Sequence, residues 1–103
     1  MTVYVTNEQS RFNYLPAQQF GELEFVTSRV YSFNNQSVNV DVLEGVTKMA
    51  KDFNPNTDFL LPSGSAISTG LCFAALALKG HSRIPVLVWS SNDACYVAGV
   101  VNF

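Results

Sequence analysis

Charge is what this chain of 103 residues has least of: Asp, Glu, Lys and Arg make up 14% of it, against about 25% in ordinary soluble domains. The six basic residues, Arg11, Arg29, Lys48, Lys51, Lys79 and Arg83, are scattered among eight acidic ones, for a formal net charge of -2. Gripping a phosphate backbone needs a clustered basic face, so nucleic acid is disfavoured as a partner. One histidine and two cysteines leave metal chemistry short of ligands. Cys72 and Cys95 have no CxxC spacing and the Asp residues are dispersed, so no metal and no cofactor is expected. Both thiols sit in apolar surroundings and are expected to be buried and reduced. The start MTVYVTNEQSRFNY lacks the basic n-region and long apolar core of a secretory signal. The longest apolar segment, Ala66 to Leu78, contains Ser68, Thr69 and Gly70 and falls short of the roughly 18 to 20 residues that span a bilayer. A cytoplasmic chain without membrane attachment is the expectation.

What the chain has in quantity is apolar surface, with hydrophobic residues at 48%. Disorder needs low hydrophobicity and high charge, so the chain reads as globular, and residues 1–103 fit one domain. A domain this small buries a modest fraction of its surface. Apolar material is then left over, and a homodimer or larger assembly is expected.

Periodicity predicts β, β, α, β, α, β, β. Thr2 to Thr6 (TVYVT) and Glu22 to Thr27 (ELEFVT) alternate as strands do. Between them NEQSRFNYLPAQQFG, broken by Pro16 and Gly21, reads as a long connection with room for a short helical turn. Ser28 to Val38 reads as a loop. From Asn39 the period changes, with Val42, Leu43, Val46, Met49, Ala50 and Phe53 on one helical face. Asn39 or Asp41 is the expected cap, and Asn54-Pro55 the stop. Asp58 to Leu61 is a short strand and Ala66 to Leu78 a second helix, closed by Lys79-Gly80 and apolar nearly all round, which predicts burial on more than one side. Its row of Ala66, Gly70, Ala74 and Ala77 lets another backbone come close, and Gly70, Phe73, Ala74 and Ala77 are the candidate interface. Ile84 to Trp89 and Ala94 to Val101 flank Ser90-Ser91-Asn92-Asp93 as an antiparallel hairpin. The fold class that follows is α/β: a small, mainly parallel sheet of about five strands with two helices, flavodoxin-like or Rossmann-like.

Open parallel sheets bind ligands beyond the C-terminal ends of their strands. The stretch DFLLPSGSAISTG, from Asp58 to Gly70, arrives there. A helix N-terminus presents unpaired N–H groups, and Ser63, Gly64 and Ser65 add hydroxyls and one unrestricted backbone position. This suits a phosphate or carboxylate. It is neither a Walker loop, since no Lys follows Gly70, nor a GxSxG elbow, since Ser63 and Ile67 hold the glycine positions. The competing explanation is a serine N-cap beside a turn glycine. If the first strand runs parallel to the third, Asn7 and Arg11 reach the same sheet edge, and an arginine facing a helix N-terminus is an anion clamp. His81, the only histidine, lies beyond the far end of the same helix, about 20 Å from Ser65 at 1.5 Å per residue. A Ser-His pair within the chain is thereby disfavoured.

VYVTNEQSRFNY, GELEFVTS, DFLLPSGSAI and PVLVWS together resemble a group of short tailed-bacteriophage proteins. These share an opening strand followed by Asn-Glu and Arg-Phe, a strand ending in Ser-Gly before an apolar helix, and a Trp-ended strand. The resemblance implies a viral protein at work in the host cytoplasm and carries over no catalytic residues. An acidic residue often follows Ser-Gly in similar proteins. Here that place holds Ser65, which weighs against a shared metal or charge role. The leading expectation is a small, non-enzymatic accessory protein that forms homo-oligomers and binds a host or phage macromolecule. The alternative is a binder of a nucleotide or other small anionic ligand at Asn7, Arg11, Ser63, Gly64 and Ser65.

Overall fold

The computed structural model describes Met1–Phe103. In chain order it contains β1 (Thr2–Val5), a 3-10 helix (Leu15–Phe20), β2 (Glu22–Phe25), α1 (Gln36–Asp52), β3 (Phe59–Leu61), α2 (Ala66–Leu78), β4 (Arg83–Ser90) and β5 (Cys95–Asn102). The strands form one sheet in the order β2-β1-β3-β4-β5. β1 runs parallel to β2 and β3, β3 parallel to β4, and β5 alone is antiparallel, as the hairpin partner of β4. The fold class is α/β with a mixed sheet.

Strand alternation divides the apolar residues between two layers. Tyr4, Leu60, Ile84 and Val86 face α1 and α2 and form one core with Val42, Val46, Met49, Cys72 and Leu76. Val3, Val5, Leu61 and Leu87 face the other way and pack with Tyr14, Ala17 and Tyr96. The two layers follow from connection handedness. The crossover from β1 to β2 moves one way along the sheet, while those from β2 to β3 and from β3 to β4 move the other way. Right-handed connections running in opposite directions fall on opposite faces.

The connection of residues 7–21 is more ordered than its sequence suggests. Pro16, with φ preset for a helical first turn, opens a 3-10 helix that buries Ala17 and ends at Gly21. It is a third helix in place of the expected two. α1 also starts earlier than expected. Asn35 is the cap, accepting a hydrogen bond from the Val38 N–H, so the loop over 28–38 ends three residues sooner. Asn39 lies within the helix, where its amide bonds both the N–H and the carbonyl of Ser32. Leu43, placed on the buried face by its period, is exposed.

α2 also departs from expectation. Within one chain it is covered along a single side, through Ser68, Cys72 and Leu76. Gly70, Ala74 and Ala77 face solvent, and nothing lies within 4 Å of a Cβ added at Gly70. Phe73 is partly buried against the helix-side core. A helical glycine that does meet another backbone is Gly45 of α1, where an added Cβ would collide with the Val26 carbonyl oxygen.

Cys72 is buried and Cys95 half-buried, and both are free thiols. Burial pushes the Cys72 thiol up to about 12, which suppresses the reactive thiolate. Ellman's reagent at neutral pH is expected to titrate Cys95 in the native protein and to reach Cys72 only after unfolding. Two fast thiols in the native state would contradict that packing.

Candidate functional site

Four parallel strands, β1 to β4, deliver their C-terminal ends to one edge of the sheet, and the order there reverses between β1 and β3. β1 runs on into Thr6 and Asn7, β3 into Pro62-Ser63-Gly64-Ser65, and β4 ends at Trp89-Ser90.

The crevice between β1 and β3 is closed by a network of hydrogen bonds. Asn7 is wholly buried. Its Nδ2 donates to the carbonyls of Arg29, at 3.0 Å, and Thr27, at 3.4 Å. Its Oδ1 accepts from the Ser65 N–H and from Gln9 Nε2, each at 3.0 Å. One side chain therefore ties the ends of β1 and β2 to the start of α2. Beside it the Ser63 N–H donates to Thr6 Oγ1 at 2.9 Å, and the Thr6 hydroxyl donates back to the Ser63 carbonyl at 3.0 Å. The Thr69 hydroxyl lies 2.9 Å from that of Thr6. Ser65 caps α2, its Oγ accepting from the Ser68 N–H. Gly64 is at φ +72, and an added Cβ there would run into Asn7 Oδ1. Both backbone conformation and space require glycine at this point.

These bonds divide the residues singled out from the sequence. Asn7 and Ser65 hold the turn from beneath, and the N–H groups of Ser63, Ser65 and Ser68 are engaged within the protein. Arg11, Ser63 and Gly64 lie above, on the wall of a cavity of about 550 Å³. Its remaining lining includes Phe12, Tyr14, Leu61, Trp89 and Tyr96. The volume falls within the range of small-molecule sites.

Four of the eleven residues on the cavity wall are aromatic. Trp89 and Tyr96 are cross-strand partners in the β4-β5 hairpin, with ring centroids 5.1 Å apart in an edge-to-face arrangement. Tyr14 is buried, and its hydroxyl shares a 2.7 Å hydrogen bond with that of Ser63 while accepting from the Gln9 N–H. Phe12 is exposed and packs edge-on against Tyr14. Burial raises the Tyr96 phenol, and the neighbouring Tyr14 adds to the rise, so Tyr96 stays a neutral hydrogen-bonding group. Arg11 is the only formally charged residue among those that line the cavity.

Sequence reasoning reached Arg11, Ser63 and Gly64 through the C-terminal edge rule and passed over Trp89 and Tyr96. A signal for Trp89 was present. A residue ending a strand parallel to β1 and β3 must arrive at the same edge. Tyr96 required the hairpin register, which no local pattern supplies. The half-buried His81 ring lies elsewhere, against Phe53 at 5.8 Å between centroids. No three His, Cys, Asp or Glu side chains converge anywhere in the structure, and no helix is long and apolar enough to cross a membrane.

Neither the curated proteins nor the solved structures yield a match to this chain. Its whole length, residues 1–103, matches the model of one protein family, described as phage Pam3 gp32-like protein. The phage resemblance carried by the opening strand, the Ser-Gly turn and the Trp-ended strand is thereby borne out, and the chain belongs to the phage Pam3 gp32-like family.

Proposed function

We propose that this phage protein is a non-enzymatic accessory protein that binds a planar, negatively charged small molecule, such as a nucleotide, in the cavity beside Ser63-Gly64. The observation that carries the reading is the convergence of one cation, Arg11, with Phe12, Tyr14, Trp89 and Tyr96 around one cavity. Aromatic faces stack on a base, an interaction worth about 1 to 3 kcal/mol per base. A guanidinium supplies the fork that matches a phosphate or carboxylate. Ser63 adds a hydroxyl at the same wall. The sheet order supports the reading by analogy, because flavodoxin-like sheets share the order 2-1-3-4-5 and hold their ligand at the switch between the first and third strands.

Trp89 is the only tryptophan, so it reports on the cavity directly. Titration with mononucleotides and cyclic dinucleotides is expected to give a saturable change in its fluorescence. Arg11→Ala, at an exposed position, should weaken binding about tenfold or more, the equivalent of one charge-assisted hydrogen bond. A flat response to the whole panel at millimolar concentration overturns the reading.

A second reading, of a homo-oligomeric module for a host or phage macromolecule in the host cytoplasm, is favoured by a different observation. Nearly half of the chain is hydrophobic, yet 24 of 103 residues are buried. The remaining apolar side chains include Ile67 and Leu78 of α2 and Val88, Val97 and Val100 of the β4-β5 hairpin.

A further inference from the structure

The two edges of the sheet differ in kind. β2 spans four residues, carries Glu22 and Glu24, and has Glu24 paired with Lys48 at 3.1 Å. Short length and charge are the ordinary means of keeping an edge strand from pairing. β5 has neither. It runs for eight residues, CYVAGVVN, with no charge and no proline, and its ladder to β4 is continuous from Ser90↔Cys95 to Arg83↔Asn102. Its outer backbone groups have no partner strand, since it ends the sheet. Of its side chains, only Tyr96 is buried. An edge so long, unbroken and uncharged is a template for another strand.

We infer that the strand it receives is β5 of a second copy of this chain, antiparallel about a two-fold axis, giving a continuous ten-stranded sheet. This rests on the oligomer reading above and gives that oligomer its contact. Three features favour a copy over an unrelated partner. β5 is neutral, so self-pairing sets no like charges opposite one another. A two-fold centred on Gly99 sets Val97 opposite Val101 on the helix-bearing face and Ala98 opposite Val100 on the other, which are favourable cross-strand pairs. Gly99 then meets its own copy at a position where nothing lies within 4 Å of an added Cβ. A standard interface takes about 800 Å² from each partner, roughly an eighth of the 6087 Å² that the chain exposes. The flanking Val88, at 57% exposure, and Val97, at 48%, are placed to contribute. The outward row of Gly70, Ala74 and Ala77 on α2 then stays outside the contact.

Light scattering on a size-exclusion column tests the contact. The unmodified protein at tens of micromolar is expected to show twice the 11.3 kDa chain mass. Val97→Lys puts a charge on the edge and is expected to give the single-chain mass with an unchanged circular-dichroism spectrum. Val100→Lys, on the opposite face, repeats the test should Val97→Lys fail to fold. A dimer that resists both lysines, or that is dissolved by Ala74→Glu instead, overturns the β5 contact and leaves oligomerisation standing. A monomeric unmodified protein overturns both.

Discussion

Asn7→Ala is expected to lower the unfolding free energy by about 3 kcal/mol. Four hydrogen bonds meet at this buried amide, and they join three segments: the end of β1, the chain after β2 at Thr27 and Arg29, and the first residues of α2. Removing the side chain leaves the buried Ser65 N–H without a partner and the Arg29 carbonyl with only the long 3.4 Å bond from the Thr27 hydroxyl. An unsatisfied buried group costs about 1 to 3 kcal/mol, and one of them, with the weakened Arg29 carbonyl and the accompanying void, gives the estimate. Asn7→Asp sharpens the test. The carboxylate keeps an acceptor for the Ser65 N–H but turns a donor into an acceptor opposite the Thr27 and Arg29 carbonyls. It should be at least as damaging as alanine, despite nearly equal volume. Urea denaturation read by far-ultraviolet circular dichroism gives both numbers. A loss under about 1 kcal/mol for Asn7→Ala would mean that the network is dispensable. The same variants should blunt any fluorescence response of Trp89 to ligand, because the Ser63-Gly64 wall rests on Asn7.

Gly45→Ala tests two opposed effects. In a helix interior alanine is favoured over glycine by about 1 kcal/mol, so propensity alone predicts a gain. Here the new Cβ would meet the carbonyl oxygen of Val26, which is itself fixed because the Val26 N–H donates to the Val5 carbonyl at 2.8 Å. Backbone cannot rotate away as a side-chain tip does. α1 must therefore lift from β2, loosening the Val42 and Val46 contacts with the sheet. Overpacking of this kind costs about 1 to 3 kcal/mol and more where relaxation is blocked. The collision wins, and a net loss of about 2 kcal/mol is expected, seen as a fall in Tm of about 10 °C for a chain of this size. An unchanged or raised Tm would show that α1 sits farther from β2.

The sequence by itself determined the class and element order of the fold. Alternation in TVYV and ELEF, the 3.6-residue period of Val42, Val46, Met49 and Ala50, and Asn-Pro and Lys-Gly stops are local signals, each written within a few residues. It also placed Arg11, Ser63 and Gly64 at one sheet edge, because parallel strands must deliver their C-terminal ends together. Burial was less legible. The apolar circumference of α2 predicted cover on more than one side, but a single chain of this length has too little material to supply it. Helix boundaries shifted because Asn35 and Asn39 are equally good caps by type, and only the packing of Ser32 against α1 decided between them.

The tertiary structure alone decided which of the candidate residues face a ligand and which hold the turn. Asn7 and Arg11 are four residues apart and looked equivalent as polar groups beyond β1. The first is buried by the convergence of β2 and α2 upon it, and the second is left on the cavity wall. Trp89 and Tyr96 became neighbours through hairpin register, and Gly45 became a point of backbone contact through the crossing of α1 over β2. Each of these depends on residues distant in the chain meeting in space, and the physical reason they escaped sequence reading is that periodicity records which way a side chain points, not what it meets.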